Sequence, residues 1–127
     1  MPTRETEHIQ HATCIVAERI VQAQLDAYNA RNLEAFAACY AEDVKVYRLP
    51  SMALSLNGRA ALADHYANKR FNLPKLHAAL LHRIVQGSRV IDHEDVTLDG
   101  ENRFRAVAIY DVNADGLIAA VWFVDAE

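Results

Sequence analysis

The chain has 127 residues, 52% of them hydrophobic and 24% charged, with a formal net charge of -4. That composition fits one globular domain and excludes disordered and fibrous classes. The acidic balance has no cluster of Lys and Arg to neutralise phosphates, so nucleic acid is not an expected partner.

The start, Met1 to Glu7, is charged and has no apolar core, unlike a secretory signal. The longest apolar stretch, Leu117 to Val124, is far shorter than the ~20 residues of a membrane helix. No membrane partner is expected, and the cytoplasm is the expected compartment. Cys14 and Cys39 fall in helical patterns among apolar neighbours and read as small buried hydrophobes. No repeat or linker divides the chain, so a single domain spans 1–127, with 1–11 expected as a flexible tail.

The first helical pattern runs from Ala12 to Ala30, with Val16, Ile20, Ala23, Ala27 and Ala30 spaced by four and three. Arg31-Asn32 interrupts it. A short second helix carries Leu33, Phe36, Ala37 and Tyr40 on one face. After Glu42-Asp43 the period becomes two, with Val44 and Val46 set against Lys45 and Tyr47, which marks a strand. A loop with a short strand covers Pro50 to Gly58. A third helix spans Arg59 to Phe71, with Leu62, His65, Tyr66 and Lys69 on one side, and Pro74 closes that stretch. The remainder reads as four strands, His77–Gln86, Arg89–Thr97, Arg103–Val112 and Leu117–Val124. Gly87-Ser88, Asp99-Gly100 and Asp115-Gly116 supply the reversals. Helices followed by a β-meander predict an α+β fold, with helices on one face of a curved antiparallel sheet.

Tyr28-Asn29-Ala30-Arg31-Asn32-Leu33-Glu34-Ala35-Phe36, followed by Tyr40-Ala41-Glu42-Asp43-Val44, resembles the opening of the nuclear transport factor 2-like superfamily. Gly58-Arg59-Ala60-Ala61-Leu62 resembles the start of its third helix, and Asp115-Gly116-Leu117-Ile118 with Trp122-Phe123 its last strand. These landmarks run in order from Ile15 to Val124, and their look is that of SnoaL-like cyclases and ketosteroid isomerases. The resemblance implies a cone-shaped fold with a cavity between sheet and helices. It also implies homodimers formed through the outer sheet face, and no metal or organic cofactor. The isomerases use a catalytic aspartate, with a tyrosine and a protonated aspartate as oxyanion hole. Arg48, Gln24 and Ala108 stand at those three places, so the isomerase residues are absent. Tyr40 and Tyr66 match two supporting tyrosines.

Strand alternation gives an independent list of cavity residues. Val44, Val46 and Arg48 share a face. The matching sets are Ala78, Leu80, His82 and Ile84; Ile91, His93 and Asp95; Phe104, Ala106, Ala108 and Tyr110; Ala119, Val121 and Phe123. The opposite sets, with His77, Arg83, Arg103, Arg105, Asp111 and Trp122, suit a solvated or dimer-forming face. His93 is the leading candidate acid–base residue, because an imidazole among apolar groups titrates near neutrality. His82 and Asp95 are the groups to tune it. The alternative is a structural polar network of the same residues.

Arg48 keeps its proton at neutral pH, so it is a clamp for a carboxylate or enolate and no base. The alternative there is an ion pair with Asp95 or Asp43, or simple exposure just before Pro50. His65, Tyr66 and Tyr110 complete the candidate lining with Gln24, Tyr40, Ala108 and Phe123. His8 and His11 have helical spacing, but no set of ligands resembles a zinc site, so no metal is expected. No phosphate-binding glycine loop and no activated nucleophile appear.

Three functions remain open. One is a cofactor-free enzyme moving a proton on a small, mostly apolar ligand as an isomerase, cyclase or hydratase does. The others are a non-catalytic small-molecule binder and a dimeric interaction or scaffold module. The fold hosts all three.

Overall fold

A stripe of Ala17, Val21, Leu25 and Tyr28, with Gln24 beside it, turns inward along the first helix and is buried. The expected stripe of Val16 and Ile20 is displaced by one position, and Val16 stays exposed. Both stripes have helical spacing, so periodicity alone does not choose between them.

The computed structural model of the chain describes residues 4–125, with side chains from residue 12 onward. Among the described residues three helices and six strands follow in order: α1 (Arg4–Asn29), α2 (Leu33–Ala37), β1 (Tyr40–Leu49), β2 (Ala53–Asn57), α3 (Arg59–Lys69), β3 (His77–Gln86), β4 (Arg89–Thr97), β5 (Arg103–Val112) and β6 (Ile118–Val124). Residues 4–11 continue α1, so the helix begins well before the expected boundary at Ala12.

The strands form one sheet in the order β2-β1-β6-β5-β4-β3. All pairs are antiparallel except β1 with β6, which run parallel. That departs from the purely antiparallel expectation, because the helices and the meander carry the chain back to lay β6 beside β1 in the same direction. The β3–β4 reversal uses Gly87 at φ 60, a conformation glycine adopts without steric cost. The next turn is closed by Asp99, whose Oδ1 accepts from the backbone of Glu101 and Asn102, each at 2.8 Å.

Two features fix the helices over the sheet. Asn29, the last residue of α1, accepts from Ala78 N at 2.7 Å and donates from Nδ2 to Ala78 O at 3.0 Å. That amide pair pins the helix end to β3. Phe36 on α2 is fully buried and meets the rings of Tyr28, Tyr40, Tyr66 and Phe71 at centroid separations of 4.8–6.1 Å. This aromatic cluster ties α1, α2 and the C-terminal end of α3 together beside the cavity.

β3 contains a register irregularity between Leu80 and His82. Ala78 pairs with Val96 and Leu80 with Glu94, but His82 then pairs with His93 and Arg83 with Asp92. The extra residue reverses the strand's faces. Arg83 therefore points inward and His82 outward, opposite to simple alternation.

Candidate functional site

A cavity of about 200 Å³ lies between the sheet and the helices. Its lining includes Gln24 and Tyr28 from α1, Val46 and Arg48 from β1, and His65 and Tyr66 from α3. Arg70, Ala78, Glu94, Val96, Phe104, Ala106, Tyr110 and Phe123 add to it. Of the residues expected there, Gln24, Arg48, His65, Tyr66, Tyr110 and Phe123 are present. Tyr40 and Ala108 are buried on the inward side but lie outside the lining.

The expected acid–base group needs correction. On β4 the buried positions are Val90, Asp92, Glu94 and Val96, so Ile91, His93 and Asp95 face away from the cavity. His93 stacks on His82, with ring centroids 5.8 Å apart and planes at 18°. Asp95 pairs with Arg103, a largely exposed side chain. None of His93, His82 and Asp95 lines the cavity. The physical reason is register. The inward set Phe104, Ala106, Ala108 and Tyr110 pairs with Val96, Glu94, Asp92 and Val90, and paired residues share a face.

Glu94 takes the place expected for His93. Its side chain is buried at the cavity wall, and among the described residues no hydrogen bond holds its carboxyl. Burial, and then the neighbouring Asp92 charge, push its pKa from 4.5 up to about 7, against a lowering by Arg83. A carboxyl poised there gives or takes a proton at neutral pH.

Asp92, one turn of the pleat away, is held differently. Arg83 binds it with two parallel hydrogen bonds, Nε to Oδ1 at 2.7 Å and Nη2 to Oδ2 at 2.9 Å. Arg83 Nη1 also donates to Gln22 Oε1 at 2.8 Å, and Gln22 donates to Asp26 at 2.8 Å. This ion pair is almost fully enclosed.

Several buried tyrosines feel the charge of this acid. Burial raises Tyr40 and Tyr110 well above the ordinary phenol value, with Glu94 and neighbouring tyrosines adding to the rise. Tyr66 is pushed up to about 12 by burial, with Glu94 adding to the rise and Arg70 opposing it. These phenols stay protonated at neutral pH and are hydrogen-bond donors. The arrangement offers one acid–base carboxyl and neutral phenols in a cavity that Gln24, Arg48, His65 and Arg70 also line.

The SnoaL-like domain family matches residues 21–121. The chain belongs to that family. The structural comparison agrees. A SnoaL-like protein of unknown function from Burkholderia thailandensis superposes with a TM-score of 0.74 at 16% identity, covering 89% of this chain and 96% of that one. A protein proposed to be a ketosteroid isomerase from Kribbella flavida gives 0.76 at 23% identity, covering 88% and 78%. A cystatin-fold protein from Novosphingobium aromaticivorans gives 0.75 at 22%, covering 86% and 97%. No curated protein matches the chain.

The three residues that the resemblance sets at the isomerase positions lie on the inward side. Arg48 sits at the mouth, Gln24 in the wall and Ala108 in the packed core. Among the described residues no group of three or more His, Cys, Asp or Glu is gathered to hold a metal ion; the His8 and His11 side chains lie outside the described set. Likewise, no described helix is long and apolar enough to cross a membrane. Glu94, Tyr28, Arg70 and the Arg83–Asp92 pair are the site residues that sequence reasoning missed. A signal for the first existed, since Val90 and Val96 bracket Asp92 and Glu94 on one face of β4.

Proposed function

We propose that this SnoaL-like protein is a cofactor-independent enzyme that moves a proton on a small, mostly apolar ligand, as an isomerase, cyclase or hydratase does. The observation that carries this reading is Glu94, a buried carboxyl facing open space and poised at about pKa 7. Glu94 removes a proton next to a carbonyl, and the Tyr66 or Tyr110 hydroxyl, kept protonated by burial, donates to the oxyanion that forms. Glu94 then returns the proton at a second carbon. The names of two structural neighbours, a proposed ketosteroid isomerase and a proposed polyketide cyclase from Sinorhizobium meliloti, fit enolisation chemistry of this kind.

The test is exchange of α-protons in D2O, followed by NMR over a panel of aryl ketones. Wild-type protein is expected to accelerate exchange for at least one member, and Glu94→Gln to lower that rate by roughly 10²- to 10⁴-fold. Saturable binding with no acceleration for any member would leave a small-molecule binder instead.

We further propose that the protein acts as a homodimer in the cytoplasm. The outer sheet face carries an apolar row across all six strands, Ile84, Ile91, Ile109, Trp122, Tyr47 and Leu54, paired in register. Tyr47 and Trp122 stack within it at 5.8 Å. A second copy covering that row removes it from water. Free Cys14 and Cys39 suit a reducing compartment. Sedimentation of wild type and Ile109→Lys distinguishes dimer from monomer; a monomeric wild type at micromolar concentration ends the dimer reading.

A further inference from the structure

The mouth of the cavity and its wall at Glu94 carry opposite charge. Arg48 on β1, Arg70 just beyond α3 and His65 on α3 all line the cavity. Arg48 is lightly held. Its Nη1 donates to Asp125 Oδ1 at 3.3 Å, both side chains are about half exposed, and its guanidinium carbon lies 5.4 Å from the centre of the Phe123 ring. One contact of that length leaves most of a five-donor fork open. Arg70 donates from Nη1 to the Lys69 carbonyl at 3.0 Å.

Positive potential accumulates at this rim. The His65 imidazole is held below its ordinary value by burial, then by Arg70, Arg48 and Lys69, which outweigh Asp64. The whole chain has a net charge of -4, so the cationic mouth is a local arrangement. Behind it the walls are apolar and aromatic, with Phe104, Phe123 and Tyr110 among them. An apolar cavity of ~150 Å³ holds one benzene ring. The present volume of about 200 Å³ suits a body of one or two rings.

We propose that the cavity selects compact, ring-bearing monocarboxylates, with the carboxylate on Arg48 and Arg70 at the mouth and the ring body directed toward Glu94. The inference rests on the cavity being a small-molecule site, and it is independent of turnover by Glu94. The ligand carboxylate replaces Asp125 on Arg48, gaining charge-assisted hydrogen bonds that a neutral or cationic head cannot make. Asp125 thereby acts as a built-in competitor that sets affinity.

Three fluorescent probes share one ring body and differ in head group: 2-naphthoate, 2-naphthylmethanol and 2-naphthylmethylamine. Titrated at low salt into the full chain, naphthoate is expected to bind about tenfold tighter than the alcohol, with the amine weakest. Arg48→Gln and Arg70→Gln each weaken naphthoate by roughly three- to tenfold and leave the alcohol unchanged. Asp125→Asn tightens naphthoate by roughly two- to threefold. Equal binding of all three probes, absence of saturable naphthoate binding, or a preference that survives the double arginine variant would overturn the proposal. Glu94→Gln keeps the preference while losing exchange. A lost preference with exchange intact defeats only the head-group inference, and lost exchange with the preference intact defeats only the proton-transfer reading.

Discussion

Strand β4 presents four ionisable side chains in succession, Asp92, His93, Glu94 and Asp95, and the pleat sends two to each face of the sheet. On the inner face Asp92 is locked by two hydrogen bonds from Arg83, while Glu94 meets the cavity and is pushed toward neutrality by burial. On the outer face His93 stacks on His82, and Asp95 pairs with the largely exposed Arg103. The acids on the two faces of β4 differ less in chemistry than in surroundings. Water screens the outer pair, so its interactions are worth little. Enclosure makes the inner pair costly unless it is partnered, and turns the unpartnered member into a proton carrier.

The largest effect expected from breaking this contrast is on stability. Arg83→Ala leaves Asp92 enclosed without its counter-ion and also removes the contact to Gln22. A loss of about 3–5 kcal/mol is expected in urea unfolding. Replacing both partners by leucine, Arg83→Leu with Asp92→Leu, is expected to recover most of that loss, because an apolar pair needs no compensation. If the single variant costs no more than an exposed ion pair does, the enclosure of this pair is wrong.

Next in size is the pH dependence from Glu94. Its folded value, about 7, is above the 4.5 of an exposed glutamate, so the folded chain holds the proton more tightly than the unfolded chain. The Glu94 contribution to stability is then greatest below pH 4.5, declines as pH rises between 4.5 and 7, and is flat above. The decline is roughly 3 kcal/mol at about 1.4 kcal/mol per unit. Glu94→Gln is expected to abolish that part of the slope and to be more stable than wild type at pH 8. A wild-type profile that rises across this window contradicts the assignment. The neighbours sharpen it further. Asp92→Asn removes a charge that raises the Glu94 value and is expected to lower it, whereas Arg83→Gln is expected to raise it. Carboxyl NMR titration reads both directions.

Legibility in the sequence follows the range of the forces involved. The limits of β3, β4 and β5 were plain, because Gly87-Ser88 and Asp99-Gly100 punctuate alternating segments locally. The inward face of β5 was legible at its ends, where Phe104 and Tyr110 alternate with Arg103, Arg105 and Asp111, while Val107 and Ile109 leave its middle unmarked. Two acids between Val90 and Val96 were turned outward by hydropathy, although an acid is buried readily beside an arginine. That arginine comes from the adjacent strand, and the irregularity at Leu80–His82 reverses its face. Neither fact is visible in a period of two. The parallel pairing of β1 with β6 joins segments far apart in the chain and leaves no local mark.

The smallest expected effect tests the outer face. His93→Ala and His82→Ala remove a ring stack on a face that the cavity does not reach. Each is expected to cost less than about 1 kcal/mol and to leave α-proton exchange at the wild-type rate. If the second copy covers this face, the change appears in sedimentation, where the removed rings lie beside Ile91 and Ile109. A tenfold loss of exchange in His93→Ala, with sedimentation unchanged, would require the imidazole to act across the sheet, and the division of β4 into a chemical and an associative face would fail. Unchanged exchange in His93→Ala together with collapse in Glu94→Gln places the chemistry on the inner face, on the acid whose proton the enclosure makes hard to lose.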